Sequence, residues 1–143
     1  MNYNKSIWAI CILASTSPMA LVKAADNIDQ LREESVVLIR SGEVEQGLKQ
    51  LRNLLAQQPK NQKLIADYIV SAYAHQKLTA SDLSCLQSIN VQSFPEYAWL
   101  SVVKGQRDLK QFVAAAKWAD IFYQQSQQQQ WLVWQGVLNA EAG

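Results

Sequence analysis

The chain has few groups that could carry covalent or proton-transfer chemistry. It holds one histidine, His75, and two cysteines, Cys11 and Cys85. No Cys and His spacing suited to zinc occurs, and no glycine-rich phosphate loop. Two carboxylate pairs, Glu33–Glu34 and Glu43–Glu45, are close enough in sequence to suggest acid and base roles. On solvated helix faces such pairs are surface charge. His75 falls near a helix end, where a cation complements the dipole. The catalytic, cofactor and metal sets are therefore empty, and the chain reads as a non-enzyme. The richer signal is aromatic. Trp99, Trp118, Trp131 and Trp134 accompany Tyr68, Tyr73, Tyr97 and Tyr123. Rings beside polar groups stack on sugars or clamp an extended peptide; rings without them pack between helices.

Elements must hold those rings, and the stretch Ser41–Pro59 shows what kind. Gly42 stops one helix. Val44, Gly47, Leu51, Leu54 and Leu55 then recur on one face of the next, and Pro59 ends it. A small residue at Gly47 lets two helices approach, and Leu51 fills the groove between them. Counting back, Leu31, Ser35 and Leu38 anchor the preceding helix. With these spacings the stretch resembles the tetratricopeptide repeat, a helical hairpin of about 34 residues. An ordinary hairpin in a small bundle is the alternative.

The remaining chain is read in the same units. The first helix starts at Asp26–Asp29 and the second runs from about Glu43 to Gln57. A further helix covers Leu64 to Tyr73 and turns at Gln76–Lys77. Thr79 or Ser81 caps a short helix to Ser88, making a degenerate hairpin, because Ser81, Cys85 and Ser88 are too polar or too small for its anchors. Cys85 is expected to be buried and inert. Pro95 opens the third hairpin, Gly105 ends its first helix, and Asp108 caps a long helix from Leu109 to Gln125. Ala114, Trp118, Ile121 and Phe122 are the packing positions there. The glutamine run 124–130 is helix end and connector. Trp131 to Gly143 is a last first helix, with Leu132, Gln135, Gly136 and Asn139 as anchors. Gly143 lies 101 residues after Gly42, one short of three periods. The expected fold is all-α: a tetratricopeptide-like solenoid of about three and a half repeats over 25–143, truncated at its C-terminus. Trp131, Leu132, Val133, Trp134, Val137 and Leu138 are too many for one buried stripe.

Residues 1–24 read as a signal peptide. Lys5 supplies the positive start, Ile7–Ala14 the apolar run, and Val22-Lys23-Ala24 a cleavage site after Ala24. The run is too short for a spanning helix; an uncleaved anchor is the alternative. Cleavage takes away Lys5 and Lys23. The net charge of +1 then becomes −1, with 11 basic against 12 acidic residues. No basic face implies nucleic acid. Cys85 would be the sole cysteine left, without an internal disulfide partner.

Several segments together resemble the amino-terminal region of the poly-N-acetylglucosamine export porins of Gram-negative outer membranes. They are LREESVVLIRSGEVEQGLKQLRNLLAQQPKNQKLIADYIVSAY, FPEYAWLSVVKGQRDLKQF and WLVWQGVLNAEAG. The resemblance implies a periplasmic scaffold that engages a polysaccharide deacetylase, a glucosamine polymer, or both. It implies an outer-membrane location for the full-length parent through a carboxy-terminal barrel not present in this sequence. A general periplasmic adaptor binding peptide segments is the alternative function. In the repeat family the first helix of each hairpin lines the concave face. That register makes Asp29, Arg32 and Tyr73 candidate groove residues, with Val36 and Val133 beside them. The aromatics add Trp99, Trp131 and Trp134.

Overall fold

A computed structural model describes the backbone of residues 18–143, with side chains from residue 27 onward. The described residues are helical and contain no strand. The helices are α1 (Pro18–Arg40), α2 (Val44–Gln57), α3 (Gln62–Ala74), α4 (Trp99–Asp108), α5 (Phe112–Ser126) and α6 (Gln129–Ala142). Two 3-10 segments, Asp82–Ser88 and Glu96–Ala98, stand between α3 and α4, and the second runs directly into α4. None of the described helices is long and apolar enough to cross a membrane. The helix start expected at Asp26–Asp29 is not there: α1 already runs through these residues from Pro18. Pro18 suits a first helical turn, and no glycine or second proline interrupts the residues after it. The apolar run Ile7–Ala14 lies outside the described residues.

One turn recurs three times. Gly42, Gln76 and Lys110 adopt left-handed backbone conformations, with φ of 101°, 56° and 62°, and 34 residues separate each from the next. In each turn the left-handed residue's N–H reaches back three residues: Gly42 to Ile39 O, Gln76 to Tyr73 O, Lys110 to Arg107 O. The following N–H reaches back five: Glu43 to Leu38 O at 2.9 Å, Lys77 to Ala72 O at 2.8 Å, Gln111 to Gln106 O at 2.8 Å. This bond pair is the Schellman helix stop, which satisfies carbonyls the helix end would otherwise orphan. Only Gly42 enters the left-handed region without a steric cost.

That periodicity corrects the third hairpin. Gly105 does not end a helix; it is buried inside α4, where an added Cβ would stand 2.5 Å from Leu78 Cδ2. Its small size makes room for Leu78, and a single mid-helix glycine costs only about 1 kcal/mol, too little to break a packed helix. Asp108 is the last residue of α4, and Gln111 precedes α5. The packing positions of α5 shift accordingly. The buried residues are Ala115, Ala116, Ala119 and Phe122, while Trp118 is half-buried. Each stands two turn periods beyond its counterpart among the buried Gly47, Leu48, Leu51 and Leu54 of α2.

α3 is the central element. Leu64, Tyr68 and Ala72 join Ile39, Leu48, Leu51 and Leu54 in one core cluster. Ile65, Ala66 and Ile69 join α4, α5 and α6 in the other. A helix packed on two sides must be apolar almost all round, which is why its sequence shows little polar face. Asn61 caps it, accepting from Leu64 N at 3.2 Å. The glutamine run forms the end of α5, a connector with left-handed Gln127, and the start of α6. α6 buries Trp131 and Leu138, whereas Leu132, Val133 and Val137 are exposed, so its register is not the expected one.

Two glycines separate packing from propensity. A Cβ on Gly47 would lie 2.6 Å from the backbone oxygen of Ser35, while one on Gly136 would meet nothing within 4 Å. Gly47→Ala should therefore destabilise by about 1–3 kcal/mol through overpacking. Gly136→Ala should stabilise by about 0.5–1 kcal/mol by removing a helical glycine. Urea titrations of both variants check the pair; equal effects would mean that α1 and α2 are not in close approach.

Candidate ligand groove

α1, α3 and the 3-10 segment Glu96–Ala98 lie side by side, and a groove of about 460 Å3 runs over them. Val36 and Ile39 of α1 and Val70 and Ala74 of α3 give it apolar walls. Arg40 and His75, at the ends of α1 and α3, border it, as do Asp67, Ser71 and Tyr97. Asp67 is the polar centre. Arg32 of α1 donates from Nη1 to Asp67 Oδ2, and the Tyr97 hydroxyl donates to Asp67 Oδ1 at 2.5 Å. One carboxylate of α3 thus ties both neighbouring elements. The Arg32 and Asp67 side chains are only 14% and 13% exposed, so the pair is sheltered from solvent screening.

The electrostatics follow from that shelter. Burial works against the Arg32 charge, but hydrogen bonds and attraction from Asp67 and Asp29 outweigh it and raise its pKa. Burial, with the adjacent Asp67 carboxylate, pushes the Tyr97 phenol above its ordinary range. Tyr97 as a residue stays 58% exposed. An open ring beside a carboxylate and apolar walls can take a sugar ring or the side chain of an extended peptide. Among the described residues no cluster of three or more His, Cys, Asp or Glu could hold a metal ion.

The candidate residues scatter around this groove. Arg32 supports it from its rim, and Asp29 accepts a 3.4 Å contact from Arg32 Nε. Tyr73 lines a separate hollow with Gln76, Leu78 and Asp108. Trp99 and Trp131 are 2% and 3% exposed and cannot line a groove. The Trp99 ring stacks on Phe122 with centroids 4.5 Å apart, and Trp131 packs at 5.9 Å and 5.3 Å from Trp99 and Phe122. These rings seal α4, α5 and α6 together. Trp134 is half-buried under Lys104 and Arg107, at 5.8 Å and 5.9 Å from its ring centre. Arg107 pairs with Glu141, its Nε 2.8 Å from Oε2, so this second cluster bridges α4 and α6. Val133 is exposed rather than seated in the groove. Asp67, Val70, Ser71 and Tyr97 were missed. The signal that could have found them is the 34-residue turn period, which sets α3 beside α1 and leads to the Glu96–Ala98 segment beside α3.

A polar network supports the other side of α3. Arg52 Nη2 donates to the Tyr68 hydroxyl at 2.7 Å, and that hydroxyl donates to Asp82 Oδ1 at 2.5 Å. Thr79 donates its N–H and hydroxyl to Asp82 Oδ2 at 2.9 Å and 2.7 Å, fixing the start of the 3-10 segment. Cys85 is half-buried, with its thiol donating to Asp82 O at 2.9 Å. Burial, reinforced by Asp82, pushes the Tyr68 phenol up to about 12 and the Cys85 thiol up to about 11. Burial opposes the Asp82 charge, but the bonds from Tyr68 and Thr79 and the Arg52 charge hold its carboxyl below its ordinary value.

These shifts predict the pH profile of stability. A thiol or phenol with a raised native pKa keeps its proton where the unfolded chain loses it, so stability falls as pH rises. The loss runs from 9.0 to about 11 for Cys85 and from 10.0 to about 12 for Tyr68. Asp82 works in the opposite sense: its contribution is present above its unfolded value of 3.8 and is lost as pH falls below it. Urea midpoints should fall between pH 9 and pH 11, and Tyr68→Phe should flatten the decline above pH 10. A midpoint constant over that range would show that neither group is desolvated by folding.

No protein-family model, curated protein or solved structure matches the chain.

Proposed function

We propose that this chain is a non-catalytic, tetratricopeptide-like scaffold whose groove binds an extended ligand. The carrying observation is the helix stop repeated at Gly42, Gln76 and Lys110, which supports a 34-residue hairpin period and sets first helices side by side. On the sequence resemblance, the scaffold is the amino-terminal part of a poly-N-acetylglucosamine export porin. It is exported to the periplasm, cleaved after Ala24, and engages a partly deacetylated glucosamine polymer, its deacetylase, or both. The exposed Tyr97 ring beside the apolar walls suits the apolar face of a sugar unit. The apolar walls, Val36, Ile39, Val70 and Ala74, favour a second reading, in which a periplasmic adaptor takes a peptide segment.

Titration calorimetry with partly deacetylated glucosamine oligomers tests the first reading. Binding should depend little on salt, since the Asp67 charge is already paired with Arg32 and sheltered from solvent. Tyr97→Ala should weaken it at least about tenfold, because an exposed ring at the centre of a contact carries a large share of its energy. A pull-down of the deacetylase by the full chain tests the protein partner. Binding of apolar peptides in place of both would establish the adaptor reading.

A further inference from the structure

α6 carries an apolar stripe that the described residues leave open. Leu132, Val133 and Val137 are 43%, 66% and 42% exposed. Gly136 and Ala140 share their face and are exposed as well. Counted back by two turn periods of 34 residues, these five positions fall on Leu64, Ile65, Tyr68, Ile69 and Ala72 of α3, none more than 2% exposed. Counted back by one period, they fall on residues 98–106, at positions at most 5% exposed. The fold buries this face in two earlier helices. α6 instead buries Trp131 and Leu138 and turns the stripe outward.

The stripe is also uncharged. Glu141 is the only charged residue of α6, and it is engaged by Arg107, away from the stripe. Gln129, Gln130 and Asn139 border the apolar side chains with neutral amides. A charged surface brought against the stripe would lose its hydration with no opposite charge to replace it. Its occupant must therefore be apolar and neutral, and a second copy of the stripe meets that requirement without like-charge repulsion. The shape is self-complementary too. Leu132, Gly136 and Ala140 form one ridge at four-residue spacing, and a Cβ added to Gly136 would meet nothing within 4 Å. When two such ridges cross antiparallel about a two-fold axis at Gly136, each Leu132 stands against the second copy's Ala140, large against small.

We propose that α6 pairs with α6 of a second copy through this stripe, forming a two-fold dimer. The contact is small. Such a stripe covers on the order of a few hundred Å2 per copy. The pair therefore buries less than the roughly 1,200–2,000 Å2 of a stable complex. The dimer is weak and reversible, with Kd on the order of 100 μM. None of the groove's lining residues lies on α6, so the contact uses no part of the groove and neither proposal requires the other.

Sedimentation equilibrium of the full chain between roughly 10 μM and 1 mM tests the pairing. The mean mass should rise from one chain toward two. Val133→Glu should weaken association at least about tenfold, while its melt in dilute solution superimposes on that of the parent chain. Leu132→Glu and Ala140→Lys should each weaken it as well. The double variant should regain the dimer, because each introduced carboxylate then meets an introduced ammonium of the second copy. Its association should weaken with salt, unlike that of the parent chain. A parent chain that stays monomeric up to roughly 1 mM would overturn the proposal and leave the stripe to an apolar helix of another protein. Association unchanged by Val133→Glu would overturn it too, placing the contact elsewhere, the apolar run Ile7–Ala14 included. A double variant as dissociated as either single one would refute the two-fold register.

Discussion

Leu51→Asp should abolish the cooperative melt of this chain or lower its midpoint by roughly 10 °C or more. Leu51 is 0% exposed and sits in one core cluster with Ile39, Leu48, Leu54, Leu64 and Tyr68. The substitution removes the leucine's packing and places a carboxylate where the neighbouring core side chains are apolar. The two effects together cost about 3–5 kcal/mol, a large part of the stability of a domain this size. Because α3 packs on the same cluster, the damage should spread beyond the first hairpin. Glu45→Ala on the same helix is the control. Glu45 is exposed and pairs with exposed Lys77, at 2.8 Å. Its melt should superimpose on that of the parent chain. Two superimposable melts for Leu51→Asp and Glu45→Ala would show that the buried face of α2 is not the one described.

Phe122→Ala should cost about as much, roughly 3–5 kcal/mol, and should act at the other end of the molecule. The Phe122 ring is 0% exposed and touches three tryptophans: Trp99 at 4.5 Å, Trp131 at 5.3 Å and Trp118 at 5.4 Å. Its removal leaves a cavity between α4, α5 and α6 that those rings cannot close without leaving their stacked geometry. The signature is spectroscopic as well as thermal. Near-ultraviolet dichroism from the tryptophans should collapse, and their emission should shift to longer wavelength as Trp99 and Trp131 meet water. Val113→Ala, on an exposed position of the same helix, should change neither. An unchanged tryptophan spectrum in Phe122→Ala would contradict the aromatic seal.

The first hairpin was legible in the sequence because Gly42 advertises the left-handed residue that its turn requires. The second and third turns place Gln76 and Lys110 in the same conformation, and nothing in those residue types announces it. A glycine three residues before the true end of α4 therefore attracted the stop, although Gly105 answers the packing of Leu78. The slip carried into α5, where Trp118 looked like a core anchor by size, while small Ala115 and Ala119 lie deeper. Trp99 and Trp131 were recognisable as large rings but not as core. Phe122, which decides the matter, is 23 residues from Trp99 along the chain. For the groove, Arg32 was identified, whereas its partner Asp67 and the Tyr97 beyond it depend on how three first helices align. That alignment is set by turn geometry rather than by any local motif.

Backbone amide shift mapping with partly deacetylated glucosamine oligomers tests the groove most directly. Shifts should concentrate on Val36, Asp67, Val70, Ser71, Ala74 and Tyr97, the residues on either side of the Arg32–Asp67–Tyr97 bridge, and should disappear in Tyr97→Ala. Shifts confined to other faces of the molecule, or an unchanged pattern in Tyr97→Ala, would contradict a ligand groove over α1, α3 and the Glu96–Ala98 segment.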